Sequence, residues 1–322
     1  MPAQLNLVFC GTPAFAVPTL SKLVEAGHLV HLVVTQPDRP SGRGLTAAAS
    51  PVKQRATELG IPITQPEKIK ANEQFRAVLE SLSPDAIIVV GYGRIIPRWM
   101  IDLPRFGNIN LHGSLLPKYR GAAPIQWAIA RGETTTGVTT MQIDEGLDTG
   151  PVLECASLPI EPQDTAETLA PRLAAIGAEL MISTLSKLAD HTLRPTPQDH
   201  AHATVAPILR KDDGLIDFQR SATDIFNRLR GFQPWPGAYT TFRGKSLHIR
   251  AAVPVTRTLP PGELFQEGVH LYAGCGEHAL ELLELQPEGK RRIPVREFIS
   301  GYRPRPGEQL GDPAGRVEGA AS

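Results

Sequence analysis

The sequence predicts an α/β domain with a mostly parallel sheet covered by helices, followed by a smaller β-barrel domain. Short apolar runs alternate with helix-like segments over residues 1–190, which is typical of a parallel sheet buried on both faces. A Pro- and His-rich stretch without periodicity covers 191–207, and short alternating strands follow it. We therefore expect a first domain over 1–190, a linker over 191–207, a barrel domain over 208–312 and a tail over 313–322.

The strands of the first domain are predicted from runs rich in Val, Leu and Ile that are too short for helices. In chain order they are Leu5–Cys10, Leu29–Thr35, Asp85–Val90, Asn108–His112, Val138–Ile143 and Val152–Ile160. The helices are predicted from their starts, as at Ser50-Pro51, where an N-cap residue precedes a proline at the first helical position. They are expected over Pro13–Glu25, Pro51–Leu59, Pro124–Ala130 and Asp164 to about Ala189.

The second domain is predicted to contain one helix and a small open barrel. The helix is expected over Ser221–Arg230, because Ser221 and Asp224 have the spacing of a capping box. Five short strands with glycine and proline turns favour the barrel. They are expected over Ala238–Phe242, Ser246–Val253, Gly262–Gln266, Val269–Ala273 and Ala279–Leu285. The chain is expected to fray from about Pro304.

Composition excludes some function classes. The 322 residues carry 33 basic and 33 acidic side chains, so any contact with nucleic acid must come from a local patch. Three widely spaced cysteines form no disulfide framework and suit a reducing cytoplasm. The N-terminus lacks the pattern of a signal peptide, and no apolar run approaches the ~20 residues that span a bilayer. We expect a cytoplasmic protein without a membrane partner.

A polar pair ends the fourth predicted strand, within Asn110–Pro117 (NLHGSLLP). Residues two apart on a strand point to the same side, so Asn110 and His112 project together. An amide beside an imidazole can stabilise a carbonyl that becomes an oxyanion and can move a proton. Both residues could instead only cap a turn. Ligands bind beyond the carboxyl ends of strands in open α/β sheets, which favours the functional interpretation.

An acidic loop, Asp144–Gly150 (DEGLDTG), follows the fifth predicted strand. We expect Asp144 and Glu145 to belong to a solvated turn. A calcium loop is excluded because the alternating oxygen ligands and the closing glutamate are missing. Asp148 is different, because it stands between Leu147 and Thr149-Gly150 and can turn inward. A carboxylate against His112 would orient the ring and stabilise its charged form.

The loop Gln36–Leu45 carries two prolines, two glycines and two arginines. This composition predicts an irregular, mobile loop. Arg39 and Arg43 suit phosphate contact, although a charged surface loop explains these residue types equally well.

Other sites are not expected. The segment Gly11-Thr12-Pro13 lacks the full GxGxxG pattern, which argues against NAD binding. His191, His200 and His202 have no second ligand group nearby in the linker, so solvated histidines are expected rather than a metal site. The aromatic residues of Phe232–Tyr239 are expected to pack within the second domain rather than to stack on bases.

Taken together, Asn110–Pro117, Arg120–Gln126 and Asp144–Gly150 resemble the signature of the 10-formyltetrahydrofolate-dependent formyltransferases. The Gln36–Gly44 loop and Pro234-Trp235-Pro236 narrow the resemblance to members that act on initiator methionyl-tRNA. The resemblance implies a Rossmann-like formyltransferase domain followed by an OB-like barrel. It implies transfer of a formyl group from 10-formyltetrahydrofolate to the amino group of methionine on that tRNA. It also implies a monomeric cytoplasmic enzyme that needs no metal.

The resemblance assigns roles to individual residues. The catalytic residues would be Asn110, His112 and Asp148. The folate site would be lined by Ser114, Leu115, Leu116 and Pro117, with a second wall from Tyr92, Gly93, Arg94 and Ile95. The acceptor arm of the tRNA would contact Arg39 and Arg43, and Phe15 would hold the methionine side chain. Bacterial relatives often carry two lysines after the last glycine of this loop, where Leu45-Thr46 stands here.

Three alternatives remain at this point. The first is a formyltransferase that acts on an amino sugar nucleotide, which shares the three catalytic residues but lacks the Gln36–Gly44 loop. The second is a hydrolase that releases formate from the same folate, although such enzymes carry different partner domains. The third is an RNA-binding protein with a decayed catalytic domain, which the intact Asn-His-Asp set disfavours.

Overall fold

A computed structural model of the chain describes residues 4–41 and 46–311. The described residues form two compact units. The first lies within Met1–Ile125, Thr135–Pro159 and Thr168–Pro207, and the second lies within Gln126–Thr134, Ile160–Glu167 and Ile208–Ser322. Residues 191–207, predicted as a linker, therefore belong to the first unit. Arg43 and the predicted tail lie outside the described residues.

The first unit is built on a seven-stranded sheet with the order β5-β2-β1-β6-β7-β8-β9. Its strands and a separate hairpin are β1 (Asn6–Gly11), β2 (Leu29–Val34), β3 (Arg39–Ser41), β4 (Thr46–Ala48), β5 (Ile63–Thr64), β6 (Ala86–Val90), β7 (Asn108–His112), β8 (Thr135–Gln142) and β9 (Val152–Pro159). The strands from β5 to β7 in this order run parallel. Strands β8 and β9 are antiparallel to their neighbours. The predicted mostly parallel sheet is confirmed.

The helices up to Ala189 are α1 (Val17–Glu25), α2 (Pro51–Glu58), α3 (Glu73–Leu82), α4 (Arg98–Ile101), α5 (Pro124–Ala130) and α6 (Ala166–Ala189). Helix α2 begins as predicted, because the Ser50 hydroxyl accepts the Lys53 backbone N–H at 3.2 Å. Helix α1 begins four residues later than predicted, after a 3-10 turn over Ala14–Ala16. Helices α3 and α4 were not predicted.

The predicted irregular loop Gln36–Leu45 is partly regular, which corrects the sequence-based expectation. Strands β3 and β4 pair antiparallel as a two-stranded ladder. Both flanks of this hairpin are tied together, because Lys53 after it forms an ion pair with Asp38 before it. The Gln65 amide also donates to the Asp38 carboxylate at 2.8 Å. With both ends held side by side, the two arms are close enough to form ladder hydrogen bonds.

The second unit contains a six-stranded antiparallel sheet with the order β10-β11-β14-β13-β12 and β15 paired to β14. Its elements are α7 (Ala222–Gly231), β10 (Ala238–Phe242), β11 (Lys245–Val255), β12 (Leu264–Glu267), β13 (His270–Gly274), β14 (Ala279–Pro287), β15 (Ile293–Pro294) and α8 (Val295–Tyr302). The predicted cap of α7 is present, since the Ser221 hydroxyl accepts the Asp224 N–H at 3.1 Å. The fold class predicted from the sequence is confirmed for both parts.

The end of the described chain is ordered against this sheet. The Leu264 N–H donates to the Glu308 carbonyl at 2.7 Å, and the Leu310 N–H donates to the Gly262 carbonyl at 2.8 Å. The Leu310 side chain is buried in the core. The prediction that the chain frays from Pro304 is therefore wrong for the residues up to Gly311. The buried Leu310 side chain and these backbone hydrogen bonds hold the segment against the sheet.

Candidate active site

The loops at the carboxyl ends of three parallel strands meet at one edge of the first sheet. After β2, the Gln36 amide donates to the Tyr92 carbonyl after β6 at 2.8 Å. The Gln36 backbone N–H reaches the Thr12 hydroxyl after β1 at 3.4 Å. A side chain at Gly91 would come within 2.8 Å of Pro13. This convergence forms the edge at which ligands bind in open α/β sheets.

Strand β7 brings the predicted polar pair to this edge. The Asn110 backbone lies between Val89 of β6 and Met141 of β8. Its side chain is half-buried and has no hydrogen bond to another described residue. His112 stands two residues further along the same face and is only 6% exposed. The two side chains therefore share one face, with the amide of Asn110 available to a ligand.

The hydrogen bond of the His112 ring fixes its tautomer. Its Nε2 lies 2.8 Å from the Tyr119 carbonyl oxygen. A carbonyl only accepts hydrogen bonds, so Nε2 carries the proton and donates. In the neutral ring Nδ1 then carries the lone pair and is the nitrogen that can take up a proton. The sequence predicts that Asp148 orients the ring. The structure shows that the Tyr119 carbonyl sets the tautomer.

Asp148 lies against the other side of the ring. Its Oδ2 is 3.6 Å from His112 Nδ1, which is longer than a hydrogen bond. The same oxygen accepts the Gly121 backbone N–H at 2.8 Å. When Nδ1 takes up a proton, it faces a carboxylate that is already held in position, and a charged pair forms. The structure thus brings Asn110, His112 and Asp148 to one side of β7.

The turn Tyr119-Arg120-Gly121 holds both partners through its backbone. Its first residue binds the His112 ring and its third binds the Asp148 carboxylate. Gly121 has φ +115°, and a Cβ there would stand 2.7 Å from the Ala206 carbonyl oxygen. Only glycine fits this position.

The segment Ser114–Pro117 continues from β7 as a fixed loop. The Ser114 side chain is fully buried, and its hydroxyl donates to the Lys118 carbonyl at 2.6 Å. The Thr139 hydroxyl donates to the Ser114 carbonyl at 2.7 Å and accepts from the Leu116 N–H at 3.1 Å. Leu115, Leu116 and Pro117 are half-buried. A ligand would therefore meet these three residues rather than the Ser114 hydroxyl.

The second predicted wall, Tyr92–Ile95, follows β6. The Tyr92 ring is buried in the core with Val8, Cys10 and Ile96, so only its backbone is available to a ligand. Arg94 forms a hydrogen bond with the Glu67 carbonyl. The Ile95 side chain is 88% exposed and is therefore accessible to a ligand.

The residues predicted to contact the tRNA are the least defined part of the site. Phe15 is half-buried in the 3-10 turn after β1, at the edge that also carries Thr12. Arg39 belongs to β3. Arg43 lies outside the described residues.

Three supporting residues were not singled out from the sequence. Tyr119 binds the His112 ring, Thr204 accepts the Tyr119 N–H at 2.8 Å through its hydroxyl, and Gln198 donates to the Asp148 carbonyl at 2.9 Å. Two of them lie in the predicted linker. No local sequence pattern marks Gln198 and Thr204, because their partners lie 50 and 85 positions away.

Between Gln4 and Gly311, apart from residues 42–45, no three His, Cys, Asp or Glu side chains group in a way that could hold a metal ion. No helix within the same residues has the length and apolarity to cross a bilayer.

Comparison with known proteins identifies the family. The family model "Formyl transferase" matches residues 5–185, and "Formyl transferase, C-terminal domain" matches residues 208–303. The methionyl-tRNA formyltransferase of Koribacter versatilis (strain Ellin345) is 65% identical over 306 residues, covering 95% of this chain and 98% of that protein. The methionyl-tRNA formyltransferase of Acidobacterium capsulatum is 58% identical over 310 residues, covering 95% of this chain and 100% of that protein.

The fold is also found among solved structures. An N-formyltransferase from Helicobacter canadensis, solved with folinic acid and dTDP-3-aminofucose, superposes with a TM-score of 0.64 at 18% identity. The match covers 88% of this chain and 100% of that one. At this identity the likeness concerns the fold. Both family models and the near full-length relatives agree, and the chain belongs to the formyl transferase family, in the branch that contains the methionyl-tRNA formyltransferases.

Proposed function

We propose that this protein transfers the formyl group of 10-formyltetrahydrofolate to the amino group of methionine on initiator methionyl-tRNA. The observation that carries the proposal is the geometry around His112, with the Asn110 amide on the same face of β7 and the Asp148 carboxylate 3.6 Å from Nδ1. Relatives that share up to 65% of their residues over nearly the whole chain are methionyl-tRNA formyltransferases. The two family matches, 5–185 and 208–303, support a catalytic domain over 1–190 and a barrel domain over 208–312.

Asn110 stabilises the developing negative charge in this proposal. The amine attacks the formyl carbon, whose oxygen becomes an oxyanion. A side-chain amide that donates to this oxygen lowers the barrier, because the charge is largest in the transition state. The absence of a competing hydrogen bond on Asn110 among the described residues leaves the amide free for this role.

His112 takes the proton that the attacking amine loses. Nδ1 is the acceptor, since Nε2 is committed to the Tyr119 carbonyl. The imidazolium that forms is stabilised by Asp148, whose carboxylate already faces Nδ1. His112 then delivers the proton to the departing nitrogen of the folate, which leaves as the uncharged amine.

The folate is proposed to lie along the carboxyl edge of the sheet. Leu115, Leu116 and Pro117 would line one wall, and the backbone of Tyr92–Arg94 with the side chain of Ile95 would form the other. The exposure of Ile95 supports this, because a flat ring system covers apolar side chains and takes polar contacts from backbone groups.

The tRNA is proposed to contact the segment Gln36–Leu45, which carries Arg39 and Arg43, with the methionine side chain against Phe15. Guanidinium groups bind phosphate through paired hydrogen bonds. We propose that the enzyme acts in the cytoplasm as a monomer.

Incubation with 10-formyltetrahydrofolate and charged initiator tRNA tests the proposal. We expect N-formylmethionine after release from the tRNA, in an amount equal to the folate consumed. Parallel reactions with an amino sugar nucleotide and without any acceptor separate the alternatives. Faster formylation of the sugar, or formate release without an acceptor at the same rate, would contradict the proposal.

A further inference from the structure

We propose that Gln198 is a positioning residue that holds Asp148 against His112. This inference rests on the proposed function only for the part of its test that measures catalytic rates. Gln198 lies in the stretch between the two family matches, which the sequence predicts as a linker. Its amide instead joins the loop of the catalytic carboxylate to the turn that binds both catalytic partners.

The amide of Gln198 uses both of its ends. Its Nε2 donates to the Asp148 carbonyl at 2.9 Å and to the Gly150 carbonyl at 2.7 Å. Its Oε1 accepts from Arg120 Nε at 3.1 Å and from Arg120 Nη2 at 2.7 Å. One side chain thus fixes the backbone on both sides of Thr149 and anchors it to the residue between Tyr119 and Gly121.

Arg120 in turn is held by the segment that follows Gln198. Its backbone N–H donates to the Thr204 carbonyl at 2.8 Å, and its carbonyl accepts the Ala206 N–H at 2.7 Å. Its guanidinium also lies 3.2 Å from His200 Nδ1. The predicted linker therefore runs alongside the catalytic turn. It forms hydrogen bonds with both the backbone and the guanidinium of Arg120.

Burial makes these contacts hard to replace with water. Gln198 is 7% exposed and Arg120 is 9% exposed. A buried carbonyl that loses its donor must find another partner, so the 148–150 backbone is expected to shift when Gln198 is removed. Asp148 has φ +52°, a conformation that non-glycine residues keep only when the surroundings enforce it.

A shift of this backbone moves the carboxylate relative to Nδ1. The separation of 3.6 Å leaves room for the proton that His112 takes up but depends on the position of the 148 backbone. A displacement of about 1 Å costs on the order of 100-fold in rate when geometry carries the catalysis. Gln198 touches neither reacting group and acts only through Asp148.

The test is a double-mutant cycle between Gln198→Ala and Asp148→Asn. We expect Gln198→Ala to lower kcat by about 10- to 100-fold with the KM for the folate little changed. In the Asp148→Asn background the same change should lower kcat by less than about threefold, because the carboxylate whose position it sets is gone. Equal losses in both backgrounds would overturn the proposal.

Gln198→Glu separates the two ends of the amide. A glutamate keeps the acceptor for Arg120 but cannot donate to the two carbonyls. We expect it to lose as much activity as Gln198→Ala. Wild-type kcat in this variant would also overturn the proposal, because it would leave only the contact with Arg120 as important.

Gln286→Ala is the matched control. Gln286 accepts from Arg250 Nε and Nη2 at 2.9 and 2.7 Å and donates to the Lys290 carbonyl at 3.0 Å, in the sheet of the second unit. It reproduces the arginine–glutamine–carbonyl arrangement without Asp148. We expect this variant to keep wild-type kcat, so that loss of such a network alone cannot explain the effect at Gln198.

Amide hydrogen exchange gives a readout that needs no reaction. The Gly121 N–H donates to the Asp148 carboxylate. Its exchange should accelerate by about tenfold or more in Gln198→Ala and remain unchanged in Gln286→Ala. Unchanged protection of Gly121 in Gln198→Ala would overturn the positioning role. If wild-type protein fails to formylate methionyl-tRNA, the proposed function falls while this measurement still decides the role of Gln198.

Discussion

Two residues of β7 have separate roles in the proposed reaction: the Asn110 amide stabilises the oxyanion, and the His112 imidazole transfers the proton. Asn110→Ala removes an oxyanion donor and is expected to lower kcat by about 10²–10³. His112→Ala removes the proton acceptor and is expected to lower kcat by about 10²–10⁴. Steady-state kinetics with purified variants measure both, after thermal unfolding has verified the fold. Near-normal turnover of His112→Ala would show that proton transfer does not pass through this ring.

Gly121 needs a backbone conformation that favours glycine, and its N–H donates to the Asp148 carboxylate. Gly121→Ala adds a Cβ at φ +115° and only 2.7 Å from the Ala206 carbonyl oxygen. We expect a loss of about 1–3 kcal/mol in the free energy of unfolding, from backbone strain. We also expect kcat to fall by about 100-fold as the donor to Asp148 moves.

Gly60→Ala is the control for Gly121. Gly60 also has a positive φ, +68°, but a Cβ there meets nothing within 4 Å. It should lose about 1–2 kcal/mol of stability and keep wild-type kcat. A kcat for Gly121→Ala as high as that of Gly60→Ala would remove this turn from the mechanism.

A substitution at Tyr92 tests whether the folate contacts the side chain or only the backbone of this residue, which belongs to the wall after β6. Its hydroxyl is buried without a hydrogen-bond partner among the described residues, and burial raises the pKa of the phenol. Tyr92→Phe removes an unsatisfied polar group, so the free energy of unfolding should stay equal or rise by about 1 kcal/mol. The KM for the folate should not change, because the ring faces the core. A marked rise in this KM would show that the hydroxyl reaches the ligand.

At the scale of elements, strand bounds are predicted best where turn residues flank the strand. Strands β7 and β10 begin and end at the predicted residues, since Gly107 and Gly113 flank β7 and Gly237 and Arg243-Gly244 flank β10. Helices α3 and α8 were missed. Only Phe75 and Leu79 are buried in α3, and only Phe298 in α8. The apolar residues nevertheless have helical spacing, with Phe75, Leu79 and Leu82 in α3 and Val295, Phe298 and Ile299 in α8, so the sequence carries the signal for both helices.

In the candidate site, sequence reasoning reaches only the residues that a local pattern marks. Asn110 and His112 could be paired from the sequence because strand periodicity fixes their relative direction. Asp148 reaches His112 across 36 positions, and the sequence located it only through its setting in a turn and the resemblance. Gln198 and Thr204 could not be found, because a polar stretch without periodicity gives no indication that it packs against a catalytic turn.

Burial sets the reactivity of the three cysteines. Cys155 is exposed on the edge strand β9, whereas Cys10 in β1 and Cys275 are buried. Burial raises the pKa of the Cys10 thiol, and it raises the pKa of the Cys275 thiol to about 11. Since the thiolate is the reactive form, a thiol reagent should modify one cysteine quickly in the native protein and all three after unfolding.

Cys155→Ser provides the control for this prediction. The variant should lose the fast phase while the two slow thiols stay unchanged. Rapid reaction of a second thiol in the native protein would show that β1 or the segment after β13 opens more readily than its burial indicates.

For the whole molecule, the balance of 33 basic and 33 acidic side chains limits how the enzyme binds its largest substrate. Without a net positive field, affinity for the tRNA must come from a few local contacts, and each neutralised phosphate adds about −0.9 to the slope of log K against log salt. We expect a slope no steeper than about −4, which corresponds to a loss of about 250-fold or less between roughly 50 and 200 mM KCl. Filter binding of initiator methionyl-tRNA measures this slope.

The double variant Arg39→Ala, Arg43→Ala should make this slope shallower by about two, since each arginine contact with a phosphate that is lost removes about one unit. A slope near −10, or one that the double variant leaves unchanged, would mean that a different and larger cationic surface carries the tRNA.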